Sequence, residues 1–324
     1  MKGGFWSKDW FLGVVVALVL AFLASTPLLQ SLERTAYDWG VRASSRSPSD
    51  KVVVIAIDES SIRNIGRWPW SRDVHARMAE NLAAAKAKVV GNLVFFSEPQ
   101  IDSGFTYIRK LLEIAERVPA LASGEVGALL QEADQTLNTD RKLAESYGAA
   151  GNVLLPMLFE LGEPRGKPDK DKPLPEFILK NQLKAISSVG PDTPFPTSAV
   201  VSPPIEDIGK NAAGIGHLNT IVDIDGGIRA EPLVLQYFDQ YYPSLSALIA
   251  AKSLNLAVSD IKVRLGEGVS LGNLKIATDP NLLMNTYFYK DRDGKSVFRI
   301  DSFFVTVQLT RMVADREGCL EMRG

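Results

Sequence analysis

Lys51-Val52-Val53-Val54-Ile55-Ala56-Ile57-Asp58 is a short apolar, β-branched run that ends in acid. That length and composition suit a strand buried in a parallel sheet. Arg72 to Ala85 follows, with Val74, Met78 and Leu82 recurring along one helical face. Val89 to Phe96 is a second buried run, closed by Ser97-Glu98-Pro99. Strand, helix and strand in succession predict a right-handed crossover joining a parallel pair. The fold class expected is therefore α/β, with one large mixed-sheet domain.

Outward from this unit the same alternation continues. Helices are expected over Phe105 to Arg117 and Gly127 to Tyr147, and a strand over Asn152 to Phe159. Gly162 to Pro175 reads as an exposed loop, and Pro-rich Pro191 to Pro204 as a surface excursion. Ile228 to Phe238 reads as one strand and Ser244 to Leu254 as a helix. Ile261 to Ile276, with Gly266, Gly268 and Gly272 between apolar runs, reads as small hairpins. Leu282 to Phe288 is expected as a last strand and Ile300 to Ala314 as a terminal helix.

Toward the N-terminus, Trp10 to Leu32 carries no charge, and Phe11 to Leu23 is almost continuously apolar. About 20 such residues span roughly 30 Å of hydrocarbon. Trp6 and Trp10 stand at one edge, as interfacial aromatics do. Residues 1–32 are expected to form an uncleaved transmembrane signal anchor, which puts everything beyond about Glu33 on one side of the membrane. The alternatives are a cleaved signal peptide, although Ala24-Ser25-Thr26 is a poor cleavage site, and a buried helix of a soluble domain.

Composition excludes several chemistries. With 36 basic and 38 acidic residues there is no basic excess for nucleic acid. One cysteine, Cys319, rules out an internal disulfide and a cysteine-rich metal site. Two histidines, His75 and His217, leave little for a multi-histidine metal site. Neither a metal nor another cofactor is expected.

Asp58 and Glu59 end the first strand, Glu98 ends the second, and Asp102 follows. Ligands of open α/β sheets sit at such carboxyl ends, so these four acids are candidates for a polar or cationic ligand. The simpler reading makes Asp58 a cap and pairs Glu98 with Arg72 or Arg67. An aspartate-nucleophile phosphotransferase would need a second Asp at position 60, which is Ser60. Gly66-Arg67-Trp68-Pro69-Trp70-Ser71-Arg72 is a stiff aromatic loop. Trp68, Trp70 and Arg72 could hold a planar or cationic ligand, or plug the end of the sheet. Asp223-Ile224-Asp225-Gly226-Gly227 starts like a calcium loop, but Val234 stands where the bidentate Glu belongs. A tight glycine turn between strands is the better reading, with His217 a satisfied loop or core histidine.

Taken together, Ile57-Asp58-Glu59-Ser60-Ser61, Gly66 to Arg72 with His75-Ala76, Phe95-Phe96-Ser97-Glu98-Pro99 with Asp102, Gly216-His217-Leu218-Asn219, Asp223 to Arg229 and Pro243-Ser244-Leu245 resemble the type-2 CHASE sensor domain. The blocks keep the family's order over roughly residues 35 to 300. The resemblance implies an extracytoplasmic sensing module of a bacterial membrane receptor, without catalysis of its own. In that family the module follows a membrane helix and normally precedes further helices and a cyclase or protein-kinase output. Asn92 replaces an Asp that the family tends to carry, which weakens a metal reading.

The expected organisation is an anchor over 1–32, a sensor domain over 33–310 and a short polar tail over 311–324. The chain is expected in the bacterial inner membrane as a single-pass protein, its main domain outside. It carries no output motif, so a truncated receptor or a stand-alone sensor is expected. Its partners would be a small-molecule or protein ligand, the membrane, and a second copy or a membrane signalling protein. The ligand candidates are Asp58, Glu59, Trp68, Trp70, Arg72, Glu98 and Asp102. The rivals are an anchored periplasmic hydrolase using Asp58 and Glu98, and a passive scaffold.

Overall fold

A computed structural model describes residues 9–24, 27–44, 46–100, 103–162, 173–188, 196–291 and 293–308. The chain divides into two compact units, 1–54 with 287–300, and 55–286 with 301–324. The tail from 311 onward, Asp102, and most of the 162–175 loop lie outside the described residues.

In the smaller unit, α1 (Asp9–Ala24) is apolar on every side, with Leu12, Leu18 and Phe22 all exposed. It has 16 residues, about 24 Å of helix. Among the described residues no helix is long and apolar enough to cross a membrane. α2 (Pro27–Ala43) follows. In the same unit Tyr287, Tyr289 and Phe298 form an edge-on aromatic row, centroids 5.1 and 5.0 Å apart. Ser44 donates to the Tyr287 hydroxyl at 3.0 Å, and the Arg46 guanidinium lies 5.5 Å from its ring.

The larger unit is a mixed α/β fold. β1 (Val53–Ala56) begins in the smaller unit and ends in the larger, and from it the chain enters α3 (Glu59–Ile65), α4 (Arg72–Ala84) and the two-residue strand β2 (Val90–Gly91). Four helices follow, α5 (Ser103–Arg117), α6 (Pro119–Ala122), α7 (Gly124–Leu137) and α8 (Thr139–Ala150), before the central strand β3 (Val153–Leu161). Then come α9 (Glu176–Leu179), β4 (Ala185–Ser188), β5 (Thr197–Ser202), α10 (Glu206–Asn211) and β6 (Gly214–His217). β7 (Ala230–Pro232), β8 (Val234–Tyr237) and β9 (Gln240–Pro243) lead to α11 (Leu245–Ser253). β10 (Ile261–Leu265), β11 (Gly268–Leu271), β12 (Leu274–Ala277), β13 (Leu283–Asn285) and β14 (Arg299–Ser302) complete the strands, and 303–308 is helical.

β3 organises the main sheet. Its first half runs parallel to β2 and to β6, and its second half antiparallel to β5. β5 continues the sheet in parallel to β8, which pairs antiparallel with β9. Val153, Leu155, Met157 and Phe159 alternate into one core with Leu143, Tyr147 and Ile208. Leu154 faces a second core with Leu248, Leu183 and Ile261. A strand buried on both faces reads as a continuous apolar run, which is why β3 is legible in the sequence. Gly216 lets β6 approach α11: a Cβ there would meet the Leu245 backbone at 2.8 Å. The second sheet runs β12-β11-β10-β4, with the expected antiparallel hairpins at β10–β12.

Several expectations are corrected. β1 does not form a parallel pair with the next strand; it pairs with β14, while β2 pairs with β3. The parallel crossover exists, but one strand later, over α5–α8. The 127–147 helix is two helices, because the Asn138 side chain accepts from Arg141 N at 3.0 Å and starts α8 afresh. The Pro-rich stretch contains β5, a paired strand. The 228–238 run breaks at Leu233, sending β7 to β13 and β8 to β5 and β9. The stretch from Ile300 opens as strand, since β14 occupies its first residues.

Candidate functional site

Asp58 follows β1 and is the N-cap of α3. Its Oδ1 accepts from Ser61 N at 2.8 Å, Ser61 Oγ at 2.5 Å and Ser302 Oγ at 3.0 Å. Ser61 Oγ in turn accepts from Phe304 N at 3.0 Å. The Ser61 hydroxyl, then the Ser61 amide, hold the Asp58 carboxyl below its ordinary value. One carboxylate oxygen thus ties the segment after β1 to the end of β14. Asp58→Ala is expected to lower the melting temperature by a few degrees, and Asp58→Asn, which keeps an acceptor, by less. Thermal unfolding of the two variants checks the order; equal effects would remove the cap from the account.

Above this tie lies an aromatic cluster. Trp70 is 5% exposed and packs against Trp68 at 5.2 Å and Phe303 at 4.9 Å. His75 joins it, 5.7 Å from Trp68, 5.3 Å from Phe96 and 5.8 Å from Phe303. The Trp70 indole donates to Gly66 O at 2.8 Å, and the Trp68–Pro69 peptide between the two rings is cis. Burial first, and the Arg72 charge second, push His75 down to about 4, so it is neutral at pH 7.

Arg72 opens α4 and is used internally. Its guanidinium lies 4.5 Å over the Phe96 ring, pairs with Asp140 at 3.1 Å and donates to the Glu98 main-chain oxygen at 3.0 Å. Gln100 closes the network: its amide oxygen accepts from Arg72 N at 2.8 Å, and its own N donates to Asp140 at 2.8 Å. Arg72 therefore meets Glu98 through the backbone, and its ionic partner is Asp140, which sequence reasoning missed. Nothing near Asp140 in sequence marks it as that partner.

The structure brings Asp58, Trp68, Trp70 and Arg72 into one packed region. Glu59 and Glu98 are exposed, and Asp102 lies outside the described residues. Among the described residues no group of three or more His, Cys, Asp or Glu is placed to hold a metal ion. Ser61 and Ser302 are further participants. The spacing Asp58-x-x-Ser61 was the available signal for the first, because an N-cap bonds the amide three residues on. Ser302 had none.

The other singled-out motifs have structural roles. Arg229 clamps Asp223 at 2.7 Å and Asp225 at 2.9 Å, so both acids of the calcium-like loop are paired with its own arginine. Gly226, at φ 81°, makes the turn. His217 is not a satisfied histidine: it sits on β6 at 1% exposure, and neither ring nitrogen has a hydrogen-bond partner. Burial pushes it down to about 3. Asn219 beside it is satisfied, clasping Phe159 N and O at 3.0 and 2.7 Å.

No curated protein and no solved structure matches the chain. A family model described as the CHASE2 domain matches residues 14–315, which take in both strands of the Asp58 tie, the aromatic cluster and the Gly216–Asn219 strand end. The chain belongs to the CHASE2 family of sensory domains.

Proposed function

We propose that the chain is the extracytoplasmic input domain of a bacterial membrane receptor of the cyclase or protein-kinase type. Residues 33–310 do the sensing outside the cytoplasmic membrane, and the segment containing α1 anchors them. An all-round apolar helix with exposed Leu12, Leu18 and Phe22 supports the anchor, since such a surface is costly in water.

The observation that carries the reading is the Asp58–Ser61–Ser302 tie. It joins the segment that enters the sensor to the segment that leaves it, at the foot of the Trp68–Trp70–Arg72 cluster. A ligand or protein partner meeting the exposed Glu59 and Glu98, beside the half-buried Trp68, would favour one packing of that cluster. The two connecting segments would follow by population shift. From the anchoring segment, the shift would reach the cytoplasm through a second copy or a membrane partner. The hydrolase reading is not favoured, because Asp58 serves as a cap: its Oδ1 accepts three hydrogen bonds, which hold the carboxyl below its ordinary value and make it a weaker base. Ligand-induced thermal stabilisation separates a sensor from a passive scaffold.

Membrane topology is the test. Alkaline phosphatase fused after Leu161 in the anchored chain is expected to be active, and a fluorescent protein fused there dark. The opposite pair of results overturns the extracytoplasmic assignment.

A further inference from the structure

A pocket of about 630 Å³ opens where the end of α9, the start of β4 and the end of α11 meet. Its size lies within the range of small-molecule sites, roughly 300–1,000 Å³. The floor is apolar, built on Leu154, Leu248 and Ala251 of the second core. The rim carries Lys180, Lys184 and Lys252 with Gln182, and no carboxylate lines it. In a chain with a net charge of −2, three cations without an acid invert the local balance.

The rim is held by buried anchors. Asn181 and Leu183, which alternate with the rim residues, are turned into the core. The Asn181 side chain donates to Phe177 O at 2.9 Å and accepts from Ile215 N at 2.8 Å. Leu183 N donates to Tyr241 O at 2.8 Å. Lys180 and Lys184 are left at the surface on either side. Lys180 lies 3.6 Å from Glu176, but both are largely exposed and such a pair is weak. Lys184 and Lys252 have no ion-pair partner among the described residues. A helix C-terminus favours a cation, which explains Lys252 in the last turn of α11. It does not explain the rim: α9 is a single turn, and Lys184 is on no helix.

We propose that this pocket binds a small amphiphilic organic anion, a carboxylate or phosphate monoester on an apolar body. The head group would meet the lysines, and the body would lie against Leu256, Ala257 and Val258, the apolar lining that is still accessible. The site stands on its own residues and does not rest on the receptor reading.

The test is calorimetric titration of the purified full chain with octanoate, against octanamide and inorganic phosphate. Saturable octanoate binding is expected, with the neutral amide and the bare phosphate at least tenfold weaker. The double variant Lys184→Gln/Lys252→Gln is expected to weaken octanoate at least tenfold while lowering the melting temperature by no more than about 2 °C, the loss of the Lys252 charge from its helix end, and Lys184→Arg/Lys252→Arg to keep the binding. Added salt should weaken binding in the wild type. Absence of saturable octanoate binding overturns the proposal. So does octanamide binding equally well, phosphate matching octanoate, or a Gln variant that binds like the wild type.

Discussion

Lowering the pH from 7.5 to 5 is expected to cost this protein a large part of its stability, through two buried histidines. His75 and His217 titrate at about 4 and about 3 in the folded chain, against 6.5 when exposed. Both folded values are depressed, so the unfolded chain takes up the proton first. Stability is complete above pH 6.5 and is lost progressively as the pH falls toward those values. At pH 5 each histidine withholds about 2 kcal/mol, against total stabilities of roughly 5–15 kcal/mol for a domain. His75 faces four rings, Trp68, Trp70, Phe96 and Phe303, with Arg72 opposing its protonation and Asp73 weakly favouring it. His217 faces Phe159, and burial alone sets its value. Urea unfolding at several pH values measures the proton uptake. His75→Phe and His217→Leu should each flatten the slope between pH 6.5 and 5 by close to one proton. Variants with the wild-type slope would refute the assignment.

Trp70→Ala is expected to cost about 4 kcal/mol, in the range for a large aromatic removed from a core. The indole loses its contacts with Trp68 and Phe303, and Gly66 O loses its donor. The same change opens the surroundings of His75. Its titration should move back toward 6.5, which an imidazole NMR titration reads independently of stability. Trp70→Phe keeps an apolar ring and should fall between. A Trp70→Ala chain with wild-type stability and an unmoved His75 would mean that the cluster is not a packed core.

What the sequence shows and hides follows from range. α4 is legible because Val74 and Met78 recur on one face and are buried there. The β10–β12 hairpins are legible because Gly266, Gly268 and Gly272 take positive φ at their turns. The strand run 51–58 is legible, but its partner is not, because β14 lies far away in sequence and carries no pairing signal. β5 hides among prolines, and the break at Leu233 is hidden because both halves are apolar and only their sheets differ. At the candidate site the cap role of Asp58 is local and readable. The Arg72–Asp140 pair and the lysine rim join residues that meet only in three dimensions. The unpartnered state of His217 has no sequence signature, since it depends on what the rest of the core fails to offer.

The tie at Asp58 also sets an order of events during synthesis. Asp58 and Ser302 are 244 residues apart, as close to a full-domain closure as this fold contains. Ribosomes add about 5–20 residues per second, so the first strand waits roughly 10–50 s for its partner to be made. Closing so long a loop costs only a logarithm in entropy, so the delay and not the energy is the hazard. Throughout that interval Val53, Val54 and Ile55 are an unpaired β-branched edge, of the kind that seeks other chains. A holding chaperone acting on this segment should therefore raise the yield of folded protein more than any change within the sheet.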